Sequence, residues 1–289
     1  MSACETVVYF DIPFEQPSLV MNSVINPDSL IKLSVTENKY VIGRSRLFKD
    51  ITTADVRLYE NGQFVDVIPY EVDSYYILRS GFKPLKGNTY KIEVIEPDYI
   101  SINSELTIPQ VIPVFEIVEI KEVQDNTSNY LEFTISIADS PGDSFYLLEV
   151  YYYNYIYDYQ QDPPVITDSV RYGANAETAD PLLGSTGGFY NSSILFDDQL
   201  FKNKTGVGKF RVGNNYFNGV GLFSARFVEI SLKEITRDYY LYKKSTELQR
   251  NSVENPLAEP VIVYSNIQNG FGIFGGYVQA LRDTFYVFQ

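Results

Sequence analysis

The chain contains one cysteine, Cys4, and no histidine, so thiol chemistry is confined to a single position and imidazole chemistry is closed. Ser-His-Asp and Cys-His nucleophilic machinery is excluded, as is a structural zinc site of the common Cys/His type. One thiol also forbids an internal disulfide. Cys4 follows Met1, Ser2 and Ala3. A bacterial lipoprotein is cut just before a cysteine that follows small residues, and the sulfur then carries acyl chains. Ser2 and Ala3 fit the small positions, with Met1 where leucine is usual. This predicts lipidation at Cys4, against the plainer reading of a stray cysteine. Neither a basic segment nor an apolar run of about 7–15 residues precedes Cys4, so the sequence is expected to begin near its mature start.

A second spacing concerns binding. Tyr151, Tyr153, Tyr155, Tyr157 and Tyr159 recur at every second position, which in a strand places them on one face about 6.6 Å apart, at ~3.3 Å per residue. The other face carries Tyr146, Leu148, Val150, Tyr152 and Ile156, the more apolar set and hence the expected core side. Glu149 lies with the five tyrosines, and an acid rarely faces a core. The ladder is therefore expected on the surface or under the segment that follows it, as a docking face for a protein or for sugar rings. The competing expectation is a satellite core. Ser29 and Ser169 stand in Asp-Ser-apolar triplets, a short pattern that predicts O-glycosylation. No metal or cofactor is expected. The 37 acidic residues leave a carboxylate pair for glycoside hydrolysis open, but abundance alone does not point to one.

With 23 basic and 37 acidic residues the net charge is −14, a field that repels phosphate backbones and argues against nucleic acid. No stretch approaches the ~18 consecutive apolar residues of a membrane helix, so attachment to a membrane must come through Cys4. The 289 residues fit about two domains.

The elements that must position these residues follow a period of two, broken by turn residues, as in β-sandwiches. Leu30–Thr36 alternates, Asp55–Glu60 turns at Asn61-Gly62 into a hairpin, and Tyr75–Leu78, Tyr90–Ile95 and Leu106–Pro109 continue the pattern. Pro109 and Pro113 mark a boundary, giving an expected sandwich over 1–112 and a second over 113–289. In the latter, Phe115–Val123, Tyr130–Ala138 and a long aromatic strand over Phe145–Tyr159 precede a loop expected over 160–193. One helix is predicted at about 236–250, with Thr236 at its cap and Asp238 in its first turn. Gly270, Gly272 and Gly275 spell a dinucleotide fingerprint, but no βαβ unit surrounds them. They are expected to allow close backbone packing against aromatic neighbours, or a positive φ.

The run Glu259–Gly276 resembles the C-terminal signature of a family of Bacteroidota lipoproteins catalogued as a domain of unknown function. Further landmarks of the resemblance are Cys4-Glu5, Pro17–Asn22 with Asn26-Pro27-Asp28, the Ala54–Gly62 hairpin, Gly87-x-Thr89-Tyr90 and Tyr239-Tyr240. The resemblance implies an outer-membrane lipoprotein, often encoded beside TonB-dependent receptors, with no established catalytic residues. It also implies a first half like transthyretin or carboxypeptidase-regulatory sandwiches and a second half like fibronectin. The resulting expectation is a non-catalytic accessory protein of a TonB-dependent receptor or other outer-membrane machine, lipid-anchored at the cell surface. A stand-alone glycan- or peptide-binding lipoprotein is the alternative, and an acid-pair hydrolase a lesser one.

Overall fold

The computed structural model describes residues 17–38, 48–71, 73–124, 129–158, 160–163, 165–184, 192–213, 227–253, 261–280 and 283–286. Cys4 and Tyr159 lie outside the described residues. The first half contains β1 (Leu19–Ile25), β2 (Lys32–Glu37), β3 (Asp55–Glu60), β4 (Gln63–Val67), β5 (Tyr70–Glu71), β6 (Tyr75–Ile77), β7 (Thr89–Ile95) and β8 (Ile102–Thr107). Then follow β9 (Val114–Gln124), β10 (Asn129–Ala138), β11 (Phe145–Asp158), β12 (Val165–Gly173), β13 (Ala176–Thr178), β14 (Ser193–Asp197) and β15 (Thr205–Gly213). β16 (Phe227–Ile235), the helix α1 (Arg237–Val253), β17 (Phe271–Gln279) and β18 (Asp283–Tyr286) complete the order.

The fold is mainly β, and the period-two patterns are its cause. Every second residue of β1 and of β7 is buried, because alternate side chains of a strand leave opposite faces. Asn61 and Gly62 both take positive φ, 48° and 79°, the backbone of the two-residue turn that matches the twist of a hairpin.

A ten-stranded sheet runs β12-β11-β16-β17-β1-β2-β6-β5, with β14 pairing β11 and β18 pairing β16 beside that path. Two four-stranded sheets, β4-β3-β7-β8 and β13-β15-β10-β9, cover one face of it. The first encloses a core with Leu58, Tyr90 and Ile92 against Leu19, Met21 and Phe274. The second encloses Phe133 and Phe210, stacked at 5.1 Å between ring centroids, against Tyr146, Leu148 and Ile230. The chain thus forms two sandwiches that share one long sheet. β17 joins them: it lies parallel to β1 and antiparallel to β16.

The opposite face of the long sheet carries α1, which packs Tyr239, Tyr240 and Leu241 over Phe145, Leu147, Ile235 and Tyr277. The hydroxyl of Thr236, expected to cap this helix, accepts from the amide of Gly276 at 3.2 Å, while the Thr236 amide donates to the Gly276 carbonyl at 2.9 Å. Asp238 accepts from the Tyr264 hydroxyl at 2.5 Å.

The long loop expected over 160–193 is overturned in its first part, where β12 pairs with β11 from Asp158↔Val165 to Tyr151↔Gly173. All nine residues of β12 are exposed. No face is selected for burial, so no alternation marks the strand; it is held by backbone pairing with β11 and by side-chain contacts such as the stacking of Tyr172 on Tyr152 at 5.4 Å. β13 and a 3-10 turn at Pro181–Leu183 follow.

Candidate functional site

β11 is the axis of the site, and its two faces part as the alternation predicts. Tyr146, Leu148 and Val150 are buried in the second core, with Tyr152 packed against it. On the other face Phe145 and Leu147 lie under α1, and Tyr151, Tyr153, Tyr155 and Tyr157 continue outward, each half-buried. Among the described residues β11 runs on with β12 past its last partner in β16, at Tyr152↔Val228, and this β11–β12 arm exposes Ile156, Val165, Ile166, Val170 and Tyr172. β12 ends the sheet, so among the described residues its far edge has no strand beside it.

The ladder divides into two parts. At its inner end the Arg171 guanidinium lies 3.3 Å from the centroid of the Tyr151 ring and pairs with Glu229, which also accepts from the Tyr153 hydroxyl. Glu229 is only 4% exposed, and a charge removed from water needs such partners. Burial, followed by the nearby Glu149 charge, pushes the Tyr151 hydroxyl up to about 12. At the outer end Tyr155 and Tyr157 meet edge-to-face at 6.4 Å, and the surrounding β12 residues are exposed. The inner pair is structural, while the outer pair stands on the arm. The sequence pattern located all four but held no sign of the Arg171–Glu229 lock, whose members stand 58 residues apart in the chain.

Next to the ladder, beneath α1, Lys233 pairs with Glu149 at 2.6 Å and lies 4.6 Å over the Tyr277 ring. Burial and then the Glu149 charge push the Tyr239 hydroxyl up to about 12. Two adjoining grooves flank the helix on the β14 side. One of about 350 Å³ is walled by Leu182, Leu195, Leu200, Tyr240 and Lys244, and one of about 270 Å³ by Ser193, Leu195, Lys243, Thr246 and Arg250. A third, of about 410 Å³, opens on the other side between Phe48, Phe271, Tyr242 and Tyr264. None of these grooves was predicted, since charged residues on a surface helix carry no signal of a cleft.

Ser29 is exposed in a turn, with its hydroxyl accepting from Asn26 at 2.7 Å. Ser169 is exposed in β12 opposite Tyr155. Two acids have carboxyls held above their ordinary range, Glu234 by burial and then by the Asp139 and Asp198 charges, and Asp198 by burial and then by the Asp139 and Asp143 charges. Neither lines the three grooves. They form a buried polar seam at the base of the second sandwich, with Ser140 donating to Glu234 at 2.7 Å. Among the described residues no group of three or more Asp, Glu, Cys and His is placed to hold a metal ion, and no helix is long and apolar enough to cross a membrane.

No curated protein matches the chain. A solved structure described as "Putative membrane anchored protein from Corynebacterium diphtheriae" aligns over 90% of this chain and 58% of its own length, at 9% identity and a TM-score of 0.21. This chain therefore spans little more than half of that protein, and a likeness so slight carries no argument about its role. The glycine-rich segment, β17 and the Tyr239-Tyr240 helix start all fall within residues 5–282, which match the family model described as "Domain of unknown function (DUF4249)"; the chain belongs to that family.

Proposed function

We propose that the chain is a non-catalytic lipoprotein, anchored through lipid on Cys4 in the outer membrane at the cell surface. In this reading it serves as an accessory subunit of a TonB-dependent receptor or another outer-membrane machine. The β11–β12 arm is its docking element, and the observation that carries the reading is the edge strand β12. An exposed edge bearing Val165, Ile166 and Val170 is a template for a partner's strand. Proteins that keep such an edge to themselves shorten it, bend it away or cover it. The outer tyrosines add rigid contact area at low entropic cost beside that edge.

Co-purification from native membranes tests this. Ile166→Asp together with Val170→Asp is expected to abolish recovery of the membrane partner while the thermal transition stays within a few degrees, since both side chains are exposed. Cys4→Ser, made in the full-length precursor, is expected to move the protein out of the membrane fraction, because two or three acyl chains give stable anchoring. A double variant that still recovers its partner removes the arm from the interface. A serine variant that pellets with membranes after a salt wash removes the lipid anchor.

A further inference from the structure

We propose that the groove between α1 and the outer face of β1 and β2 is a binding site for a neutral sugar ring. The site is separate from the β11–β12 arm and does not depend on it. Strand register sets its floor. Phe271 of β17, Val20 of β1 and Thr36 of β2 stand in one row across three neighbouring strands, and Asn22 pairs with Ser34 in the next row on the same face. The two rows lie about 6.6 Å apart, at ~3.3 Å per residue. Tyr242 of α1 and Tyr264 add aromatic walls. The Tyr264 amide donates to the Ser245 hydroxyl of α1 at 2.9 Å, and its own hydroxyl donates to Asp238 at 2.5 Å. Two residues on, the Asn266 amide donates to the Phe274 carbonyl at 2.8 Å and accepts from the Phe274 amide at 2.9 Å. The wall is thus tied to the helix and to β17 alike, and a site held in place this way spends little of its binding energy on ordering itself.

The lining selects the chemistry of the ligand. Among the described residues no charged side chain lines this groove, whereas both grooves on the other side of α1 carry lysine and glutamate. An ion would leave water for a site without a counter-ion, so the ligand is neutral. The groove offers aromatic rings, with Phe271 52% exposed, beside uncharged hydrogen-bonding groups. The Asn22 amide and the hydroxyls of Ser34, Thr36 and Tyr242 all line it, and among the described residues none of these four groups makes a hydrogen bond within the protein. A wholly apolar ligand would strip them of water and give nothing back. A pyranose meets both demands. Its C–H face lies against an aromatic ring, and its hydroxyls donate and accept as the amide and hydroxyls of the floor require. The volume of about 410 Å³ falls within the roughly 300–1,000 Å³ of small-molecule sites.

Saturation-transfer NMR on the intact chain tests this with maltose, cellobiose, lactose and N,N′-diacetylchitobiose at millimolar concentration, and with cyclohexanol as the apolar control. At least one sugar is expected to bind, and cyclohexanol not to bind. Asn22→Ala and Phe271→Ala are each expected to weaken that sugar at least tenfold while the thermal transition stays within a few degrees, because Phe271 is exposed and the Asn22 amide holds no protein partner. Tyr155→Ser with Tyr157→Ser, on the arm, is expected to leave the affinity unchanged. The chain has no tryptophan, so Phe271→Trp places a single emitter in the groove, and its emission is expected to shift on titration with the same sugar. Absence of binding by all four sugars, or binding of cyclohexanol as strong as theirs, overturns the proposal. Full affinity in both groove variants does the same, as does loss of binding in the arm variant alone or an unshifted tryptophan while the sugar still binds.

Discussion

Gly275 lies directly beneath Tyr239, so that a Cβ built on the glycine falls 2.9 Å from both Cβ and Cγ of the tyrosine. This contact sets the distance at which α1 rides on β17, and the Thr236–Gly276 hydrogen bonds fix it from the neighbouring residue. Gly275→Ala is expected to destabilise the protein by about 1–3 kcal/mol, the usual cost of forcing a methyl into a packed contact. The loss is read as a lower denaturation midpoint. Gly272→Ala is expected to cost more, because its φ is +108° and its Cβ would stand 2.1 Å from the Met21 carbonyl oxygen, which is backbone and cannot swing aside. Equal stability of wild type and Gly275→Ala would show that the helix can lift freely.

The glycine segment also marks how far the sequence could be read. That its glycines allow close packing and a positive φ follows from their type and from the missing βαβ context. Tyr239 and Met21 as the partners do not, because those contacts join distant parts of the chain. The same holds for the long sheet, since a parallel pairing of β1 with β17 leaves no local pattern. The strands of the two cores were legible wherever one face is buried, as in β1 and β7. β12 was not legible, since with all of its residues exposed nothing distinguishes it from a loop. Of the candidate site, the tyrosine ladder showed through its period, whereas the grooves beside α1 depend on where β14 lies under the helix.

The ladder is expected to respond differently at its two ends. Tyr153→Phe removes a donor from the 4% exposed Glu229 and is expected to cost about 1–3 kcal/mol, the penalty for a buried charged group short of a partner. Tyr155→Ser with Tyr157→Ser is expected to leave the thermal transition within a few degrees and to weaken recovery of the membrane partner. A collapse of stability in the outer pair would make the whole ladder core.

Native protein is expected to exceed the mass of polypeptide plus lipid through glycans on Ser29 and Ser169. Both serines are exposed. Ser169 faces the same register position as Tyr155, so a glycan there would stand over the outer tyrosines and tune access to the arm. Intact-mass measurement decides the matter, and a mass with no excess removes both sites.

Two glutamates of the second sandwich are expected to give stability opposite pH dependences. Glu234 has its carboxyl raised above the ordinary 4.5, first by burial and then by the charges of Asp139 and Asp198. Between 4.5 and the raised value the folded state therefore binds a proton that the unfolded state has lost, and stability falls as pH rises through that window. Above it the cost of the buried carboxylate is complete. Glu234→Gln keeps an acceptor for Ser140 and removes the charge, so at pH 7 the variant is expected to be more stable than wild type by about 1 kcal/mol, with the difference closing below pH ~4 as both states protonate. Glu132 is the counterpart. Its carboxyl is lowered, first by the Arg211 hydrogen bond, against burial, and further by Lys209. Its contribution is present above 4.5 and is lost as pH falls through the depressed folded value. Glu132→Gln is accordingly expected to be less stable than wild type at pH 7 by about 1–3 kcal/mol, and to approach it in acid. Urea unfolding of the three proteins from pH 3 to 8 measures both curves. Parallel curves for Glu234→Gln and wild type would mean that the seam holds its proton equally in both states, and the assignment of Glu234 as the burdened carboxylate would fall.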